Sequence, residues 1–111
     1  MTASSDRPLH PLEFRILLAL LSGPRFGTRI VQEIERSQTG RAKLYPANLF
    51  RRIRDLQGRG LLEPCDGPAG SDPRRSYVRL THRGHRVARA EAERLRALVH
   101  EAVARDLLPE A

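Results

Sequence analysis

Between Pro46 and Leu80 the chain changes its hydrophobic period, and that change restricts the fold more than any other feature. Pro46 opens a segment in which Leu49, Ile53 and Leu56 recur at i, i+4 and i+7, closed by Gly58 and Gly60. That spacing gives a helix one apolar side, with proline suited to its first turn and glycine to its exit. Immediately afterwards the period drops to two. Leu61 to Cys65 reads as a short strand that Pro64 confines to a sheet edge. Ser76 to Leu80 reads as a second strand, with Val78 and Leu80 on one face and Tyr77 and Arg79 on the other. Asp66 to Pro73, with two glycines and two prolines, is the turn between them.

Helices are expected on both sides of this unit. Pro11 suits a first turn, and Leu12 to Ser22 carries Leu12, Phe14, Ile16, Leu17, Leu18, Leu20 and Leu21. Such dense apolar coverage predicts a largely buried helix, ended by Gly23-Pro24. Thr28 is expected to cap a second helix bearing Ile30, Val31 and Ile34, which stops in the Ser37 to Gly40 cluster. Thr81 is expected to cap a long last helix from about His82 to Leu107. The order helix, helix, helix, hairpin, helix is a winged helix-turn-helix. The predicted fold is mostly α with a small two-stranded β-wing. Residues 1–10 are expected to form a flexible tail, 11–81 the winged helix-turn-helix and 82–111 a C-terminal dimerisation helix. A plain three-helix bundle is the alternative, but the spacing of Leu61 to Leu80 favours a hairpin.

A chain of 111 residues supports one domain with a modest core. Its formal charge of +7 favours polyanionic partners. Cys65 stands alone, so no disulfide can form within the chain, which fits a reducing cytoplasm. The longest apolar run, Ile16 to Leu21, is far short of the roughly 20 residues that span a bilayer. The polar start, Met1 to Asp6, lacks the order of a secretory signal. The expectation is a cytoplasmic protein with no membrane partner.

The third helix carries most of the chemistry. Opposite Leu49, Ile53 and Leu56 fall Ala47, Asn48, Arg51, Arg54 and Asp55. Small Ala47 lets such a helix approach a groove closely. Arg51 and Arg54 suit guanine edges or phosphates, and Asn48 suits an adenine edge. Lys43 and Tyr45, just before the helix, are placed for the DNA backbone. From Arg41 to Gly60 there are six basic residues (Arg41, Lys43, Arg51, Arg52, Arg54, Arg59) against one acidic residue, Asp55. A lone basic helix is usually just a solvated face. On the third helix of this order, concentrated charge points to double-stranded DNA. Arg74 and Arg75 at the hairpin tip are candidate phosphate or minor-groove contacts, weighed against an ordinary polar loop. Arg29 is a further phosphate candidate, with surface solubility at least as good an explanation.

The last helix outruns what the body can cover. Leu95, Leu98, Val99, Ala102 and Val103 continue a heptad-like stripe begun by Val87, Ala88 and Ala92, flanked by charges such as Arg89, Glu91, Glu93, Arg94 and Arg96. Pairing with a second copy is expected there, against folding back on its own core. His82 and His85 could face one metal but lack an evident third ligand, so no metal and no cofactor is expected. Cys65 would need a lowered pKa to act as a redox sensor, and is taken as a structural or incidental thiol. Gly67 to Ser71 lacks the Gly-Lys-Ser/Thr ending of a phosphate-binding loop, and no Gly-x-Ser-x-Gly occurs, so no enzyme is indicated. The alternative function is a winged-helix module that binds an acidic protein partner.

Several segments resemble the PadR family of bacterial transcriptional regulators. Ile16-Leu17-Leu18-Ala19-Leu20-Leu21-Ser22-Gly23-Pro24 resembles the family's first helix and turn. Phe26-Gly27-Thr28-Arg29-Ile30 resembles its H-G-Y-E-I opening of the second helix. Leu44 to Leu62 is similar to L-S-P-G-T-L-Y followed by R-L-E-x-x-G-L-I, with Pro46, Leu49, Leu56, Gly60 and Leu61 at matching places. Tyr77, Arg79, Leu80 and Thr81 match Y-x-R-L-T. The resemblance implies a dimeric repressor with C-terminal helices crossing between subunits; a homodimer placing two third helices in successive major grooves is expected to use a pseudo-palindromic operator. The resemblance also implies release of DNA on binding a small-molecule effector, whose identity the sequence does not give. Tyr45, Ala47, Asn48 and Phe50 depart from the family pattern where DNA would be read, so the operator cannot be borrowed from other members. Thr28 and Arg29 depart from it at the second helix.

Overall fold

The computed structural model describes residues 8–37 and 46–110. Along them run α1 (Pro11–Ala19), β1 (Arg25–Phe26), α2 (Gly27–Ser37), α3 (Pro46–Gly58), β2 (Leu62–Cys65), β3 (Tyr77–Leu80) and α4 (His82–Ala104). The architecture is the expected mostly helical winged helix, with one addition. The sheet has three antiparallel strands, ordered β1-β3-β2, rather than two. β1 pairs Arg25 with Val78 and Phe26 with Tyr77. Two residues carry no readable period, which is why pattern alone misses this strand.

Helix α1 begins at a reciprocal cap. His10 Nδ1 accepts from the Leu12 amide at 3.0 Å, and the Glu13 carboxylate accepts from the His10 amide at 2.9 Å. Of the expected tail, residues 1–7 lie outside the described residues, while Leu9 is buried in the core and His10 caps α1. These two belong to the folded body. The helix stops at Ala19, earlier than the predicted Ser22, because the next amides bond three residues back, Leu20 to Leu17 and Leu21 to Leu18. Its burial is one-sided: Ile16, Leu17 and Leu20 are sealed, whereas Leu18 is 45% and Leu21 50% exposed.

Phe26 runs directly into α2 at Gly27, so Thr28 lies inside the helix instead of capping it. Ile30, Val31 and Ile34 of α2 meet Leu49, Ile53 and Leu56 of α3 in one core with α1, Leu61, Leu62 and Val78. Each such aliphatic side chain contributes about 1.5–3 kcal/mol through burial. β2 and β3 pair from Leu62 with Leu80 to Cys65 with Tyr77, leaving Pro64 on an edge strand, where its missing donor costs nothing.

The junction to α4 is tightly specified. Thr81 Oγ1 accepts from the Gly84 amide at 2.9 Å and donates to the Gly60 carbonyl at 2.6 Å. One hydroxyl therefore caps α4 and ties it to the turn that leaves α3. A Cβ on Gly84 would lie 2.0 Å from the Leu61 carbonyl oxygen, so only glycine allows the helix to cross there. The 23 residues of α4 extend for about 34 Å at the usual rise. Gly84 and Ala88 of α4 are buried, Glu91 and Leu95 still border α1, and beyond them the helix leaves the body, with Leu98 and Val99 exposed. Arg94–Glu91, Arg96–Glu93 and Arg105–Glu101 pairs line its surface. Among the described residues no helix is long and apolar enough to cross a membrane.

Candidate nucleic-acid interface

Two elements present the candidate residues: the outer side of α3 and the loop joining β2 to β3. Burial of Leu49, Ile53 and Leu56 fixes the roll of α3 about its axis. That roll leaves Asn48, Arg51, Arg54 and Asp55 exposed on the opposite side. Arg51 Nη2 reaches Asn48 Oδ1 at 3.5 Å, a long contact that a base or phosphate can replace at little cost. Ala47 lies within α3, but its side chain, like Lys43 and Tyr45 altogether, is outside the described residues.

Not every arginine of this segment faces outward. Arg52 Nη1 lies 3.8 Å from Glu13 Oε2, and Arg59 Nη1 lies 3.7 Å from Glu13 Oε1. The Glu13 side chain is only 2% exposed. These two charges, counted by the sequence with the basic surface, act as internal struts that tie α1 to α3 and to the turn after it. A signal for this existed. Arg52 and Arg59 stand seven residues apart, each three residues beyond a core leucine, and Glu13 stands three residues before Ile16.

At the wing, Arg74 is 90% exposed and holds Asp72 through Nε at 3.3 Å and Nη2 at 3.2 Å. Those hydrogen bonds, led by the side-chain pair and joined by the Arg74 amide, hold the Asp72 carboxyl below its usual range. Arg75 instead lies over a ring: its guanidinium carbon is 4.1 Å from the Phe26 centroid. Phe26 in turn meets Tyr77 edge-on, with centroids 5.4 Å apart and planes at 74°. Gly70, at φ +86°, permits the turn at the tip of the loop. Phe26 is a residue that sequence reading misses, because its strand is too short to announce itself.

Arg29 is exposed but engaged within its own helix. Its Nε contacts Glu33 Oε2 at 3.1 Å, beside Arg25 Nε at 2.8 Å on the same oxygen. Burial raises the Glu33 pKa, but hydrogen bonds from Arg25 and Arg29 together with their charges outweigh it and leave the carboxyl low. Cys65 is half-buried and unbridged. Burial, helped by the carboxylates of Asp66 and Glu63, pushes its thiol up despite Arg79, which disfavours the thiolate a redox sensor uses. His82 and His85 line a groove with Arg79, Arg83, Arg86 and Glu63 at the start of α4.

On α4, Leu98 is 49% and Val99 53% exposed, while Leu95, Ala102 and Val103 are half-buried. Leu95 also borders a groove of about 450 Å³ with Leu9, Pro11, Phe14 and Leu18, flanked by the charged Arg15, Glu91 and Arg94.

A helix-turn-helix with a basic outer side, joined through a short sheet to a wing bearing two arginines, defines a winged-helix chain. A family model described as the transcriptional regulator PadR-like family matches residues 16–90, more than half of the chain. The chain belongs to that family. No curated protein sequence matches it. Among solved structures, it is similar to a PadR family transcription regulator from Clostridium difficile R20291, with TM-score 0.74 and 15% identity over 89% of this chain and 100% of that one. A transcriptional regulator from Clostridium thermocellum has TM-score 0.70 and 20% identity over 85% and 87% of the two chains. Bacillus subtilis PadR, solved with operator DNA, has TM-score 0.62 and 16% identity over 73% of this chain and 46% of that one.

Proposed function

We propose that this chain is a cytoplasmic, sequence-specific DNA-binding repressor that acts as a homodimer and responds to a small-molecule effector. In this reading residues 11–81 bind DNA and 82–111 join two copies. Asn48, Arg51 and Arg54 read base edges in the major groove, with Ala47 allowing close approach. Lys43, Tyr45, Arg74 and Arg75 contact the backbone. Two copies address the half-sites of a pseudo-palindromic operator about one helical turn apart. Nothing in the reading calls for a catalytic step, a metal or a cofactor.

The observation that carries it is the exposure of Asn48, Arg51 and Arg54 opposite the sealed side of α3. Membership of a family of transcriptional regulators adds support, as does the fold shared with a PadR protein solved on its operator. The homodimer is supported by exposed Leu98 and Val99 on a helix that leaves the body. Leu95, Ala102 and Val103 complete that face.

The test is a gel-shift titration with DNA from upstream of the chain's own gene, over a salt series. Sequence-selective binding is expected, with affinity falling at a log–log slope near −0.9 per contacted phosphate. Arg51→Ala should weaken the selective complex by about 1–3 kcal/mol and relax one base position. Uniform weakening on all sequences would reduce Arg51 to a backbone contact. Absence of selective binding at moderate salt would sink the reading and favour an acidic protein partner.

A further inference from the structure

We propose that Phe26 is a positioning residue for Arg75, holding the wing guanidinium on its ring so that it meets a DNA phosphate already oriented. This rests on the reading of the wing as a DNA contact, and it names how that contact is built.

The Arg75 guanidinium carbon lies 4.1 Å from the Phe26 centroid. The ring is itself immobilised, because Tyr77 meets it edge-on and is its register partner across β1 and β3. The Arg75 amide donates to the Asp72 carbonyl at 3.0 Å, so the backbone beneath the side chain is also fixed. Phe50 of α3 packs against the next residue along the chain: a Cβ on Gly27 would lie 2.2 Å from its ring. Phe26, Gly27 and Thr28, Phe50, and Arg75 with Ser76 thus border one cleft of about 210 Å³. The start of α2, helix α3 and the foot of the wing meet there.

A long side chain on an exposed loop gives up rotamer freedom when it docks. One already laid on a ring has given that freedom up on folding. An aromatic face attracts the cation without using its in-plane N–H donors, which stay available for phosphate oxygens. Arg74, by contrast, already spends Nε and Nη2 on Asp72. Of the two wing arginines, Arg75 is the preorganised one.

Because phosphate contacts are independent of sequence, a short random-sequence duplex serves as the probe. Affinity is measured over a salt series for the full chain and for Arg75→Ala, Phe26→Leu, Phe26→Tyr and the Phe26→Leu/Arg75→Ala pair. Arg75→Ala should lower the salt slope by about 0.9. Phe26→Leu should weaken binding about two- to fivefold while Arg75 is present, and change nothing in the Arg75→Ala background. Phe26→Tyr should bind as the parent does. In the free protein, the Arg75 Hε resonance should be ring-shifted in the parent and in Phe26→Tyr, and lose that shift in Phe26→Leu. Phe26→Met replaces Phe26→Leu if the latter fails to melt cooperatively. Equal weakening by Phe26→Leu in both backgrounds, or an unshifted Arg75 resonance in the parent, overturns the proposal. An Arg75→Ala variant with unchanged affinity and slope defeats the wing contact itself, a distinct failure.

Discussion

Glu13 Oε1 lies 3.7 Å from Arg59 Nη1, and its Oε2 lies 3.8 Å from Arg52 Nη1, so one sealed carboxylate fastens α1 to the inner flank of α3 and to the turn that follows it. The outward tilt of Arg51 and Arg54 depends on how α3 is seated, and Glu13 is part of the seat. Removing the carboxylate leaves two mostly covered cations without it. Glu13→Leu should therefore cost about 2–4 kcal/mol, read as a lowered urea midpoint with little change in slope. Arg52→Ala should leave the salt dependence of DNA binding as it is, because that charge points inward.

Gly84 offers a sharper steric test. Its hydrogen faces the Leu61 carbonyl, and a methyl there would sit 2.0 Å from the oxygen. Neither backbone can yield without moving α4 off the turn that Thr81 ties down. Gly84→Ala should cost about 1–3 kcal/mol in spite of the better helix propensity of alanine, measured by thermal melting. An unchanged melting temperature would mean that α4 crosses Leu61 less closely than described.

The Arg25–Glu33–Arg29 cluster gives a pH dependence of known sign. The folded-state pKa of Glu33 is depressed below its ordinary 4.5. Its contribution is present above that value and is lost as pH falls through the lower, folded value. With side chains between 24% and 46% exposed, it should amount to less than about 1 kcal/mol. The melting temperature of Glu33→Gln should lie below that of the parent at neutral pH and converge with it in acid. A gap that widens in acid would reverse the assignment.

Leu98 and Val99 lie bare on α4, at 49% and 53% exposure. If a second copy covers them, Leu98→Glu/Val99→Glu should shift sedimentation from dimer to monomer and abolish any dependence of the melting temperature on subunit concentration, while the body still melts cooperatively. Loss of the dimer should also weaken operator binding by much more than the loss of one contact, since two half-sites then bind separately.

Helix α3 is legible in the chain because its core residues keep a 3.6-residue period over two turns between a proline and a glycine. The hairpin is legible because Val78 and Leu80 alternate with Tyr77 and Arg79. Strand β1 is not, since Arg25 and Phe26 are too few to show a period and their pairing with Val78 and Tyr77 spans about fifty residues of chain. Arg52 and Arg51 look equivalent in a list of charges. They differ by a turn of about 100° about the helix axis, which sets Arg52 nearer the leucine side, but that Glu13 meets it there follows from packing between helices. For the same reason Phe26 escapes notice: the contact with Arg75 exists only once the sheet has formed.

The placement of β1 beside the central strand has a consequence for building chimaeras from such proteins. The linker between the first two helices and the hairpin share hydrogen bonds, so the hairpin is not a separable cassette. Transplanting it alone would bring a foreign strand against Arg25 and Phe26 and would discard the matched ring. A swap that moves Pro24 to Leu80 as one block keeps that seam intact, and is the smallest transplant that carries the hairpin together with its strand partner.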